Sequence, residues 1–280
     1  MKDEISIVMV SYRNLNWIKY NLKLTNSLNR SQLITYIIID NDILVKHFFN
    51  ILVITFFRIN LGSKNRYQLI RNDRKILKTK GAKQHALSID FAKKYVATEI
   101  TIIIDPDCVL LSKSWISYFI SLLNDNSLDL FGFPQAKNRI NRQIQKSEMA
   151  YKFNSPLAIF MIGYTNIIFK NTFAIDNFDK PNLDVGWRLA KLCQENIYRF
   201  RVAEAYSTRE HKCKINWVNK LNCTYYEFES LENNPIGIHF GRGSNITTKI
   251  DRNLFFSKAT FMVLISPTYF RYKLSKYLYF

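Results

Sequence analysis

The feature that most constrains this chain is an alternation between short runs rich in β-branched residues that end on a polar side chain and segments of helical periodicity. ISIVMVS (residues 5–11) precedes LNWIKYNLKLTNSL, TYIIID (35–40) comes next, and EITIIID (99–105) follows the helix-like KQHALSIDFAKKYVA. Runs this short and this β-branched read as strands buried on both faces. Strands that alternate with helices build an open, largely parallel α/β sheet flanked by helices, a Rossmann-like arrangement. Such sheets place ligands at the carboxyl ends of their strands. Ser11-Tyr12, Asp40 and the triplet Asp105-Pro106-Asp107 all fall on that edge.

The rest of the chain fills in around this frame. Asn14 is a capping residue for the first helix. NILVITFF (50–57), β-branched and aromatic, reads as a third strand, and YQLI (67–70) as a fourth, ahead of the charged RNDRK. SWISYFISLLN is helical in pattern, LDLFGF and YRFRV are strand-like, and KNRINRQIQKSEMAYK is a polar, basic connection. PLAIFMIGYTNIIFK is apolar, Asp184 opens the helix-like RLAKLCQEN, and PIGIH is a further strand. Residues 1–245 are thereby assigned to one α/β domain. Residues 246–280, where Phe and Tyr interleave with Lys and Arg, form a helical basic and aromatic extension suited to a membrane interface or to packing on the domain.

At 280 residues the chain buries a sizeable core without disulfides. Cys108, Cys193, Cys213 and Cys223 show neither CxxC pairs nor metal-finger spacing, which predicts free thiols in a reducing cytoplasm. The formal net charge of +18 predicts attraction to anions, whether nucleic acid, phospholipid or phosphorylated small molecules. Asp3 and Glu4 stand where a signal peptide needs positive charge, so a cleaved signal is not expected. No run of eighteen uncharged apolar residues is present, so a spanning helix is not expected either. The expected location is the cytoplasm, peripheral to the membrane if the extension binds it.

Three constellations carry chemistry. Asp105 and Asp107, two apart in an extended segment, would project together, and two converging carboxylates repel unless a cation or a hydroxyl-rich ligand joins them. Hard oxygen ligands suit Mg²⁺ or Mn²⁺; the alternative is a solvated strand-to-helix turn. In IGIHFGRGS, His239 can complete a divalent site, Gly241 and Gly243 let backbone N–H groups approach an anion, and Arg242 and Ser244 can contact phosphate. In LDVGWRL, Asp184 at a helix start is a cap or an ionised general base, and Trp187 one turn later can wall off a sugar ring.

Taken in order, SIVMVSYRN, IIIDN, TKGAKQHAL, IDPD, LDVGWRL and HFGRGS resemble the nucleotide-sugar glycosyltransferases of the GT-A fold, family two, over roughly residues 4–245. The resemblance implies that Val10, Ser11 and Tyr12 cradle base and ribose, that Asp40 hydrogen-bonds the base, and that Gly81 to Gln84 touch the sugar diphosphate. It further implies Asp105 on the ribose, Asp107 and His239 on the metal, Arg242 and Ser244 on the pyrophosphate, and Asp184 as the base that activates an acceptor hydroxyl for inverting displacement. The implied cofactor is Mn²⁺ or Mg²⁺. The implied partners are a nucleoside-diphosphate sugar, a UDP-sugar first, and a glycan or lipid-linked acceptor.

The sequence departs from the family in three places. His85 stands where an Asn is usual, the link from Ile51 to Arg66 is long, and the motif at Asp184 has one carboxylate where many members have two. Two other readings compete. A nucleotidyltransferase would want a glycine-rich basic loop after the first strand, and SYRNLNW lacks the glycines. A non-enzymatic binder of nucleic acid or anionic membrane fits the charge, but the basic residues are spread along the chain without a recognition motif.

Overall fold

The computed structural model describes residues 4–12, 15–61, 64–113, 115–124, 128–133, 161–165, 195, 197–216, 218–220, 223–227 and 235–239. Two sheets are present among them. The larger has the strand order β3-β2-β1-β4-β7-β6-β8. Its parallel half is β3 (Arg66–Arg71), β2 (Leu33–Asp40), β1 (Glu4–Ser11) and β4 (Ile100–Ile104). β7 (Met161–Thr165) runs antiparallel to both β4 and β6 (Leu130–Gly132), and β8 (Phe200–Val202) pairs with β6 in parallel. The smaller, antiparallel sheet has the order β5-β11-β10-β9, from β5 (Cys108–Leu110), β11 (Pro235–His239), β10 (Thr224–Glu227) and β9 (Glu204–Ser207).

Alternate residues of each central strand enter different cores, as the two-residue period of a strand requires. Ile5, Ile7 and Met9 of β1 join Ile34, Tyr36 and Ile38 of β2 and Ile102 and Ile104 of β4 against α1 (Leu15–Leu28) and α5 (Trp115–Asn124). Val8, Val10, Ile37, Ile39 and Ile103 face the other way, onto Ala86, Ile89 and Ala92 of α4 (Gly81–Ala92). The central strands are thus buried on both faces, in keeping with their near-continuous apolar runs.

One element differs in kind from its sequence reading. NILVITFF is not a strand; it lies within α2 (Leu44–Leu61), an 18-residue helix. The physical reason is topological: β2 and β3 are parallel neighbours, and a parallel pair needs a crossover from one sheet edge to the other, which a helix supplies. YQLI is β3, so the long link noted in the sequence is this helix. A short α3 (Arg74–Leu77) follows β3, with Asp73 accepting from the Lys75 N–H as its N-cap. Gly81, the first residue of α4, has φ +60°, a left-handed conformation that L side chains adopt only at a cost. Cys108, Cys213 and Cys223 are free thiols and are buried; Cys193 and the extension 246–280 lie outside the described residues.

The pairing of β5 with β11 is tight at Gly237, where an added Cβ would sit 3.2 Å from the Val109 carbonyl oxygen and 3.3 Å from side-chain atoms of Leu110 and Phe133. Gly237→Ala is therefore expected to destabilise the protein by about 1–3 kcal/mol through overpacking, read as a lower urea midpoint with an unchanged slope.

Candidate functional site

The carboxyl edge of the parallel half gathers most of the described candidate residues. β1 and β2 end in register, Ser11 opposite Asp40. β4 ends at Ile104, and the next residues turn sharply: the Cys108 N–H donates to the Asp105 carbonyl at 2.8 Å. Asp105 and Asp107 therefore sit on a tight turn and not on the extended segment the sequence suggested. The turn is braced from beneath, where the side-chain amide of Asn21 in α1 donates to the Pro106 carbonyl.

This turn joins the two sheets. Cys108, the first residue of β5, pairs with His239, the last residue of β11. The register delivers the imidazole beside the acidic pair: His239 Nε2 lies 3.3 Å from Asp107 Oδ1, with the His239 side chain 3% exposed and that of Asp107 13%. One ligand atom each from Asp105, Asp107 and His239 lie within 4.8 Å of one another. Among the described residues this is the grouping of side chains that could hold a metal ion. Two carboxylates and an imidazole, converging on one point at a strand end, fit a divalent cation such as Mn²⁺ or Mg²⁺. Burial first, then the adjoining Asp107 and Asp105 carboxylates, push the Cys108 thiol well above its ordinary range, so it stays a protonated core residue beside the site.

α4 brings a residue that the sequence reading treated only as a departure. His85 Nε2 lies 3.3 Å from Asp105 Oδ1, so each carboxylate of the acidic pair faces its own imidazole. Gly81 opens the same helix, so its left-handed turn sets how the first turn of α4 approaches the acidic turn. The clue available in the sequence was the replacement of the family's Asn by His85. It could be read in full only once α4 and the end of β4 were placed side by side.

Asp40 sits differently from what the resemblance implies. Its side chain is fully buried and turned inward: Oδ1 accepts from the Asp42 N–H at 3.0 Å, and Oδ2 lies 2.9 Å from His47 Nδ1 and accepts from the Asn50 amide at 2.9 Å. It anchors the start of α2. Val10 is 7% exposed and belongs to the core against α4, and Ser11 is 1% exposed, whereas Tyr12 is 50% exposed at the strand end and presents a ring to the edge. A polar network of Asn41, Asn72 and Ser88 floors this edge, with Asn72 donating to Ser88 at 2.7 Å and to Asn41 at 2.6 Å. Asp184, Trp187, Arg242 and Ser244 lie outside the described residues.

No protein-family model matches the sequence, and no curated protein matches it. Solved structures do. The galactosyltransferase LgtC, in complex with donor and acceptor sugar analogues, matches over 96% of this chain and 99% of its own, with a TM-score of 0.54 at 11% identity. The mannosyltransferase PcManGT of Pyrobaculum calidifontis, in complex with GDP-Man and Mn²⁺, gives a TM-score of 0.49 at 10% identity over 71% of this chain and 54% of its own. TarS 1–349 of S. aureus gives 0.43 at 13% identity, over 71% and 57%. The chain spans little more than half the length of the latter two. The LgtC match shows that the fold is the GT-A-type α/β fold.

Two predictions follow from this geometry. Asp40→Ala leaves His47 and the Asp42 N–H buried without this acceptor and Asn50 with only its longer bond to Asp42, and is expected to cost about 3 kcal/mol of stability, measured by urea unfolding. Titrated with Mn²⁺ and followed by the loss of the free-ion EPR signal, the protein is expected to bind one ion, and Asp107→Ala or His239→Ala to weaken it at least tenfold without lowering the melting temperature by more than a few degrees.

Proposed function

We propose that the protein is a metal-dependent glycosyltransferase that moves a sugar from a nucleoside-diphosphate donor to a hydroxyl of a glycan or lipid-linked acceptor. The observation that carries this reading is the convergence of Asp105, Asp107 and His239 at the carboxyl edge of a GT-A-type sheet. In support of this reading, sheets of this kind take ligands at the carboxyl ends of their strands, and the triad could hold the cation that a diphosphate leaving group needs.

In this reading Asp107 and His239 hold the ion, and Asp105, oriented by His85, receives a ribose hydroxyl or shares the ion. When bound, the divalent cation would neutralise the charge that develops on the departing diphosphate. Tyr12 offers an exposed ring to the base at the end of β1. The buried Asp40 acts through the α2 start that it anchors and not by touching the base. Asp184 remains the proposed base for direct displacement with inversion, with Trp187 beside the sugar and Arg242 and Ser244 on the diphosphate. The roles of Asp184, Arg242 and Ser244 and a UDP-sugar as first-choice donor rest on the sequence resemblance; Trp187 beside the sugar, contact of the 246–280 extension with membrane and a cytoplasmic location rest on the composition and placing of the residues in the sequence.

Nucleoside diphosphate release from a panel of UDP-, GDP- and other nucleotide sugars, with acceptor glycans present, tests the reading. The expected outcome is release that requires Mn²⁺ or Mg²⁺, stops with EDTA, and falls at least 100-fold in Asp107→Ala and in Asp184→Asn. Absence of both donor binding and turnover across the panel would overturn it. Full activity in EDTA would remove the metal from it.

A further inference from the structure

Helix α2 is built inside out. The side it turns to the protein carries His47 and Asn50, which hold Asp40, together with the buried Ile54. The opposite side carries Val45, Phe48, Phe49, Leu52, Phe56 and Ile59, each between 55% and 70% exposed. At 100° per residue these six fall within a sector of about 100° and run along about 21 Å of helix. An apolar stripe of this extent, with no polar side chain inside it, marks a surface that something covers.

Charge decides among the occupants. From Ile5 to Asn72 the only carboxylates are Asp40 and Asp42, both buried, with Asn50 donating to each. Glu4, just before this span, faces Arg66 at 3.7 Å. The exposed Lys46 and Arg58 lie on the two sides of α2 between the stripe and its buried face, Lys64 lies beyond its end, and the exposed Arg30 follows α1, which packs beside α2. A second copy docked stripe to stripe would bring these cations together across the interface. The chain's own residues 252–280 hold five Lys and Arg and no Asp or Glu, so that segment has the same sign. An anionic lipid leaflet offers what neither does, an apolar layer bordered by negative charge.

We propose that α2 is a membrane-docking helix: it lies in the surface of an anionic bilayer with the six-residue stripe at the acyl boundary and Lys46, Arg58 and Lys64 among the head groups. The inference stands independently of the transferase reading and on a different segment from the 246–280 extension. Among the described residues no helix is long and apolar enough to cross a membrane, which suits α2 to lying in the surface and not to spanning it. Its first turn leaves the sheet edge that carries the acidic turn, so docking sets the site beside the leaflet.

The test is co-sedimentation of the full chain with phosphatidylcholine vesicles, with and without phosphatidylglycerol, at low and high salt. The full chain is expected to bind the anionic vesicles at least tenfold more tightly than the neutral ones, and less tightly as salt rises. Phe49→Ser/Phe56→Ser is expected to weaken that binding at least tenfold, with unchanged circular dichroism and unchanged mass on size exclusion. Leu52→Ser, a smaller change, repeats the test, and Lys273→Gln/Lys276→Gln reports on the extension. Failure of the full chain to bind anionic vesicles overturns the proposal. So does binding that the α2 variants leave intact while the extension variant loses it. A dimer that the Phe49/Phe56 variant converts to monomer, with vesicle binding unchanged, would assign the stripe to a second copy instead.

Discussion

The site depends on one antiparallel pairing, that of β5 with β11. β4 belongs to the parallel half of the large sheet, the acidic turn follows it, and β5 continues from that turn into the small sheet. Because Cys108 faces His239 across the ladder, the imidazole arrives one residue from Asp107, and a metal-sized convergence forms where two sheets meet. A shift of one residue in that register would turn the His239 side chain to the opposite face of the small sheet and dissolve the triad. Gly237 lets β11 lie close over Val109 and Leu110, and Phe133 stacks on Tyr226 of β10 beside it, so the pairing is held by packing as well as by the ladder.

The parallel half of the fold was legible in the sequence because short β-branched runs alternate with segments of helical periodicity, and Ser11, Asp40 and Asp105 close the runs of β1, β2 and β4. The acidic pair could be nominated for the same reason. The contact of His239 with Asp107 could not be derived from the residues alone, since strand register between distant segments is set by packing; the ordered resemblance to a family suggested it. α2 was misread because its run of Ile, Val and Phe satisfies a strand's propensities, and the topological need for a crossover outweighs propensity. With 50–57 taken as a strand, His47 and Asn50 could not be seen as helix positions one turn apart reaching back to Asp40, so Asp40 was left free for a base.

Polar residues thus do two separate jobs at this edge. Asp40, Asp42, His47 and Asn50 form a buried set that fixes how α2 departs from β2, while Asp105, Asp107, His85 and His239 form a second set gathered at the acidic turn. The first set accounts for the unusual face of α2: His47 and Asn50 are needed inside beside Ile54, and the stripe from Val45 to Ile59 is left outside. A helix with its usual face turned to the protein would leave the buried Asp40 carboxylate with the Asp42 N–H but without His47 and Asn50, a cost of several kcal/mol.

The most direct measurement of the central claim is pulsed EPR of Mn²⁺ bound to the protein in the presence of a nucleoside diphosphate, with histidine labelled with ¹⁵N. The account predicts that one ion shows both an imidazole nitrogen coupling, lost in His239→Ala, and a phosphorus coupling from the diphosphate. A phosphorus coupling without the His239 nitrogen, or a nitrogen coupling on an ion that never meets the diphosphate, would contradict it.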